Sequence, residues 1–171
     1  MYMDQKLCIR KACSDDASSI ATIYGYYVNH SVISFEYEAP SSQQMQQRIY
    51  ILQEKFPWLV GEIEDQIVGY CYAGPFRTRT AYQWSAETAI YIDHRWCGKG
   101  LGKQLYHALI QELQQAKIYN IIGGITLPNE ASVALHEHFG FVKTSHYKEI
   151  GFKFGQWWDV GFWQLQLDKP F

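Results

Sequence analysis

The sequence predicts an α/β (or α+β) sandwich, in which strands and helices surround one sheet. Three observations carry that prediction. The chain has 171 residues, within the ~100–200 usual for one domain. Hydrophobic residues make up 47% and charged residues 19%, a balance that builds a core and argues against disorder. Segments of period-two alternation interleave with segments of helical period, in the order β-α-α-β-β-β-α-β-α-β-β.

Leu7 to Ala12 alternates apolar and basic residues and predicts a first strand. Ser14 is placed to cap a helix reaching about Val28, with Asp15 and Asp16 at its positive end and Ile20, Ile23, Tyr24 and Tyr27 on one face. Pro40-Ser41-Ser42 opens a second helix through Ile49 and Leu52, ended by Pro57. Trp58–Glu64 and Ile67–Ala73 predict a hairpin linked by Asp65-Gln66. A polar loop from Gly74 to Ser85 leads to a strand, Glu87 to Ile92. Leu101, Leu105, Leu109 and Leu113 then repeat at helical spacing. Ile121 to Thr126 predicts a strand, and Pro128-Asn129 opens a helix stopped by Gly140. Phe141 to Leu167 predicts two long strands around Gly155. Residues 7–167 are expected to form one domain, with 1–6 and 168–171 as tails.

Composition excludes several function classes. Fifteen Lys+Arg against seventeen Asp+Glu give a formal charge of −2, without the basic excess of a nucleic-acid binder. No apolar run approaches the ~18 residues of a membrane span. The N-terminal stretch carries Asp4 and no signal-peptide core, so a cytoplasmic location is expected. Cys8, Cys13, Cys71 and Cys97 form no C-x-x-C pair. Reduced, mostly buried thiols and no metal are expected. Aromatic residues reach 16%, an excess that suggests a pocket or an interface as well as a core.

The most informative segment is Arg95-Trp-Cys-Gly98-Lys99-Gly100-Leu101-Gly102-Lys103, between a predicted strand and a predicted helix. Glycines there let backbone N–H groups crowd around an anion, and the helix adds its positive end. The spacing fits neither a Walker loop nor a dinucleotide fingerprint. It does fit R/Q-x-x-G-x-G/A, and so resembles the pyrophosphate loop of the GCN5-related N-acetyltransferases. Asn129-x-x-Ser132-x-x-Leu135-His136-x-x-x-Gly140-Phe141 resembles a second motif of that superfamily. Tyr72-Ala-Gly-Pro-Phe76, Ala81-Tyr-x-Trp-Ser-Ala-Glu87, Leu127-Pro-Asn129, Gly151-Phe-Lys-x-Gly-x-Trp157 and Asp159–Gln164 narrow the resemblance. Together they look like the phosphinothricin and methionine sulfoximine N-acetyltransferase family, from about Ile9 to Leu167.

The resemblance implies the acyl-CoA N-acyltransferase fold: a mixed, mostly antiparallel sheet with helices on both faces. It implies acetyl-CoA as cosubstrate, a small amino acid as acceptor, and a homodimer. Amine acetylation requires a base for the ammonium, polarisation of the thioester, and stabilisation of the leaving thiolate. Glu87, at the start of its strand, is assigned as water-relayed base. His136, four residues beyond Ser132 on one helix side, is assigned as acid or relay; His138 points elsewhere. Backbone of Ile90, Tyr91 and Ile92 is expected to meet the pantetheine arm, and Arg95, Gly98 to Lys103 the phosphates. Asn129 is a helix cap, a cofactor contact, or both; Ser132 lies beside it.

Arg77 and Arg79 are expected to anchor the acceptor's anionic groups in bidentate fashion, with Phe35, Tyr82 and Val160 as walls. The family pattern more often shows Lys where Arg77 stands. Trp157 and Trp158 are open between pocket, interface and core. Two other readings stand beside this one. An acetyltransferase for another small amine, such as a polyamine, is disfavoured by the two arginines. A non-catalytic acyl-CoA-binding module is disfavoured by the presence of Glu87 and His136.

Overall fold

One parallel pair interrupts an otherwise antiparallel sheet. The computed structural model describes residues 6–169 and 171, so Met1–Gln5 and Pro170 of the expected tails lie outside the described residues. The described elements run β1 (Cys8–Lys11), α1 (Ala17–His30), α2 (Ser42–Gln53), β2 (Trp58–Ile63), β3 (Gln66–Pro75), β4 (Ser85–Ile92), α3 (Leu101–Gln115), β5 (Asn120–Leu127), α4 (Glu130–His138), β6 (Val142–Lys153) and β7 (Gln156–Gln166). The seven strands order as β1-β2-β3-β4-β5-β7-β6. Among the described residues, only β4 and β5 pair in parallel. A parallel neighbour needs a crossover, and α3 supplies it.

Local chemistry explains most boundaries. Ser41 caps α2: its Oγ accepts from the Gln44 N–H at 3.2 Å, and Gln44 Oε1 accepts from the Ser41 N–H at 2.8 Å. That reciprocal pair is a capping box. The start of α1 differs from expectation. Ser14–Asp16 form a 3-10 turn and the α-helix begins at Ala17. Asp16 is held here because its carboxylate accepts from the Cys13 N–H at 2.8 Å and from Arg10 at 2.8 and 2.9 Å. Arg10 keeps Asp16 below the usual carboxylate range.

The β2–β3 link is Glu64-Asp65, not Asp65-Gln66; Gln66 already pairs with Ile63. Both linking residues take positive φ, 49° and 61°, as a two-residue turn matched to strand twist requires. The expected polar loop is also shorter at both ends, because β3 runs through Gly74-Pro75 and β4 starts at Ser85. Glu87 is therefore the third residue of its strand.

The helices divide between the two sheet faces. Ile20, Val28, Met45 and Ile49 of α1 and α2 pack with Val60 and Tyr70. Leu105, Leu109 and Leu113 of α3 pack with Cys71, Ala73, Ala86 and Ile121. Side-chain alternation along β4 follows. Ala86 and Ile90 join the α3 side, while Tyr91 joins the α1 side. Thr88 bonds Tyr106 of α3 at 2.7 Å, so Glu87 projects toward α1 and α2. The expectation of mostly buried thiols fails: Cys71 alone is buried, and Cys8, Cys13 and Cys97 are exposed. Among the described residues no helix is long and apolar enough to cross a membrane.

Candidate active site

The parallel ladder between β4 and β5 runs from Ser85↔Asn120 to Thr88↔Gly123 and then stops. Beyond it the strands part: β4 continues to Ile92 with β3, and β5 continues to Leu127 with β7. Past Thr88, β4 has no β5 neighbour, so its Ala89 to Tyr91 edge is available to a ligand.

A groove of about 440 Å³ opens at this fork. It brings together Ile90, Tyr91, Ile92, Gly98, Gly100, Leu101, Gly102, Lys103, Asn129 and Ser132, ten of the twelve residues expected to meet the cofactor. Gly98 and Gly100 both have φ of +77°, and an added Cβ at either would meet nothing within 4 Å. Their requirement is conformational, not steric: the left-handed region costs an ordinary residue ~1–2 kcal/mol. Gly100 is the N-cap of α3 and offers no side-chain cap. The first-turn N–H groups are thus left for an anion. This open helix end, with Lys103 beside it, fits a pyrophosphate.

Arg95 and Lys99 do not line the groove. Arg95 folds back onto Asp93, with Nε to Oδ1 at 3.0 Å and Nη2 to Oδ2 at 2.5 Å. Lys99 sits over the Trp96 ring at 4.2 Å. Asn129 caps α4, its Oδ1 accepting from the Ser132 N–H at 3.1 Å, and it also lines the groove. His138 is exposed at the groove rim. Sequence reasoning missed Tyr27 and Ile33, which close the groove from the α1 side. Tyr27 donates from its hydroxyl to the Ile92 carbonyl at 2.5 Å. Its helical periodicity had signalled only core packing.

Glu87 stands at the fork. A Cβ built on Gly124 of β5 would lie 3.2 Å from Glu87 Oε1, so the carboxylate extends over the position where the strands have just separated. It has no hydrogen-bond partner among the described residues. Burial pushes its pKa above the usual carboxylate range, and the charge of Arg77 opposes that shift.

His136 lies on the opposite face. It is 4% exposed, and its ring packs against Tyr106 and Phe141. Nδ1 lies 2.7 Å from the Ser132 carbonyl, which can only accept, so Nδ1 carries the hydrogen. Nε2 then presents a lone pair toward Gly123, the last β5 residue paired with β4; a Cβ there would meet it at 2.3 Å. Burial lowers the His136 pKa. The hydrogen bond to the Ser132 carbonyl opposes that shift.

Of the expected acceptor residues, Arg77 is close enough for its charge to act on Glu87. Arg77 lies with its guanidinium 4.3 Å from the Phe76 ring centre and donates to the Phe76 carbonyl. Tyr82 meets the same ring edge-on at 5.8 Å. Arg79 precedes the 3-10 turn Thr80–Tyr82 and is exposed. Val160 is half-buried on β7 beside Thr126. The Phe35 ring lies against Gly151 of β6. Trp157 is exposed and contacts Phe152, whereas Trp158 is half-buried and donates to the Lys153 carbonyl at 3.0 Å.

The model of the Acetyltransferase (GNAT) domain family matches residues 9–161. The chain belongs to the GNAT acetyltransferases. Relatives of this GNAT enzyme include the phosphinothricin N-acetyltransferase of Streptomyces viridochromogenes, 36% identical over 95% of this chain and 88% of that protein. The L-methionine sulfoximine/L-methionine sulfone acetyltransferase of Salmonella typhimurium is 31% identical over 95% and 96%. Among solved structures, a GNAT superfamily phosphinothricin acetyltransferase from Sinorhizobium meliloti in complex with acetyl-CoA superposes with a TM-score of 0.91. It is 34% identical and covers 94% of this chain and 88% of its own.

Proposed function

We propose that the groove holds acetyl-CoA and that residues 7–167 form a single catalytic domain acetylating the α-amino group of a small amino-acid analogue. Acceptors of the phosphinothricin, methionine sulfoximine or methionine sulfone type suit the site, as the names of the relatives suggest. The observation that carries the reading is Glu87: an unpartnered, half-buried carboxylate over the fork of β4 and β5. Acetyl-CoA supplies an activated thioester. The chain binds its phosphates at the α3 N-terminus and its arm along the free edge of β4. Glu87 takes the ammonium proton through a water. The neutral Nε2 of His136 is the nearest relay on the other face.

Arg77, whose charge reaches Glu87, and Arg79, exposed two residues on in the same loop, favour an acceptor carrying anionic or strongly polar oxygens. A screen of amines with acetyl-CoA, reading free CoA, tests this. The amino-acid analogues are expected to release CoA and a polyamine to release none. CoA release with the polyamine alone would overturn the acceptor assignment. A cytoplasmic location and the absence of nucleic-acid, membrane and metal partners are part of the same reading. So is a homodimer. The edge strand β6 and its partner β7 expose Val142, Tyr147, Ile150, Phe152 and Trp157, each at least 45% accessible. Exposed apolar side chains on an edge strand suit an interface. Sedimentation is expected to give twice the chain mass; a single-chain mass at micromolar concentration would refute the dimer.

A further inference from the structure

The tip of β6 holds a lysine in an unusual setting. Lys153 is 1% exposed and has no carboxylate partner among the described residues. Its Nζ instead donates to three backbone carbonyls: Val28 at 2.7 Å, Ser31 at 2.9 Å and Ser34 at 2.6 Å. An ammonium has three hydrogens, so this set satisfies it completely. The first acceptor lies in the last turn of α1, where carbonyls lack helical partners and the helix dipole is negative. A buried charge without such partners would be strongly unfavourable. Any movement of the Ser31–Ser34 main chain would break at least one of these bonds.

The same segment is held from its other side. The Tyr24 hydroxyl lies 2.7 Å from Ser34 Oγ and donates to Glu36 at 2.8 Å. Arg48 grips Glu36 with both nitrogens, at 2.7 and 2.9 Å. The Tyr37 hydroxyl donates to the Phe152 carbonyl. Between these anchors stands Phe35. Its ring occupies the space that a Gly151 side chain would fill, since a Cβ there would be 2.1 Å from the ring. Gly151 and Lys153 are two residues apart on β6, and so share a face of the strand. One seats the ring, and the other holds the main chain that carries it.

We propose that Gly151 and Lys153 are positioning residues that fix Phe35 as a rigid wall of the acceptor site and thereby set which acceptor side chains fit. This rests on the reading of Phe35 as an acceptor wall. A wall clamped on both sides discriminates by shape, because it can neither recede for a larger side chain nor advance to fill the gap left by a smaller one.

Steady-state kinetics with acetyl-CoA and the best acceptor of the screen test it on three variants. Lys153→Met keeps the stem and removes the donors. Gly151→Ala keeps the lysine contacts and displaces the ring. Phe35→Ala removes the wall. Each is expected to raise the acceptor KM about tenfold, the scale of a small misplacement, while the acetyl-CoA KM stays within about twofold. Lys153→Arg, which keeps the charge, is expected to recover part of the loss. Wild-type acceptor KM in Lys153→Met and Gly151→Ala, with a raised KM in Phe35→Ala, overturns the positioning role alone. An unchanged KM in Phe35→Ala overturns the wall reading and this proposal with it. If Lys153→Met fails to bind acetyl-CoA because it does not fold, Gly151→Ala decides by the same criterion.

Discussion

Glu87→Gln is expected to keep acetyl-CoA binding and to lower turnover at pH 7 by roughly a hundredfold to a thousandfold, the usual contribution of a positioned base. The amide retains the shape of the carboxylate but cannot accept the ammonium proton. The pH profile makes the test sharper. Burial raises the Glu87 pKa and Arg77 opposes that shift. The acid limb of kcat is therefore expected above the ~4.3 of a free glutamate, with activity rising as the carboxyl ionises. Glu87→Gln abolishes that limb.

Stability moves the other way. A carboxyl whose folded pKa is raised contributes stability below its unfolded pKa, and that contribution is lost as pH rises through the folded value. Ionised Glu87 is thus a cost to the fold at pH 7, and Glu87→Gln is expected to unfold no earlier than wild type. Unchanged turnover would sink the base assignment. Lost acetyl-CoA binding would mean that Glu87 shapes the groove instead.

Gly100→Val is expected to raise the acetyl-CoA KM at least tenfold and to leave kcat at saturation within about twofold. Gly100 sits at φ +77° as the N-cap of α3, with open space where a Cβ would go. The penalty is therefore one of backbone conformation, ~1–3 kcal/mol for a residue forced into a sparsely populated region. The loop escapes it by turning its N–H groups away from the phosphates. A conformational loss at the far end of the cosubstrate affects binding and leaves the reacting end intact, and the division between KM and kcat reports this. Gly102→Ala is the control. Gly102 is helical, and its added Cβ would stand at an ordinary 3.9 Å from Ile90, Ile92 and Leu135. An equal KM rise in Gly102→Ala would overturn the conformational argument.

The element order, the helix caps at Ser41 and Asn129, and the glycine loop were all legible in the sequence. Each depends on neighbours within a few residues. The start of α1 was misread because Asp16 is recruited by Arg10, across the turn from β1, and that pairing overrides the cap signal of Ser14. The Arg95 side chain likewise pairs with Asp93, two residues away, a contact its motif position does not disclose. Three exposed cysteines contradicted an average preference that says nothing of individual positions.

The mixed α/β class, the anion-binding turn before α3 and the residue types that base chemistry needs are all written in the linear order of residues. These follow from periodicity, from the glycine requirement for positive φ, and from the chemistry of carboxylate and imidazole. The point where β4 and β5 part is set by the packing of the layers. That fork arises because α3 returns the chain parallel to β4 for four residue pairs, after which β5 follows β7. The fork puts Glu87 and His136 on opposite faces of one opening. Likewise, the burial of Lys153 under three carbonyls joins β6 to the end of α1 across more than a hundred residues. Such contacts depend on how the layers close, and no local pattern of residues encodes them.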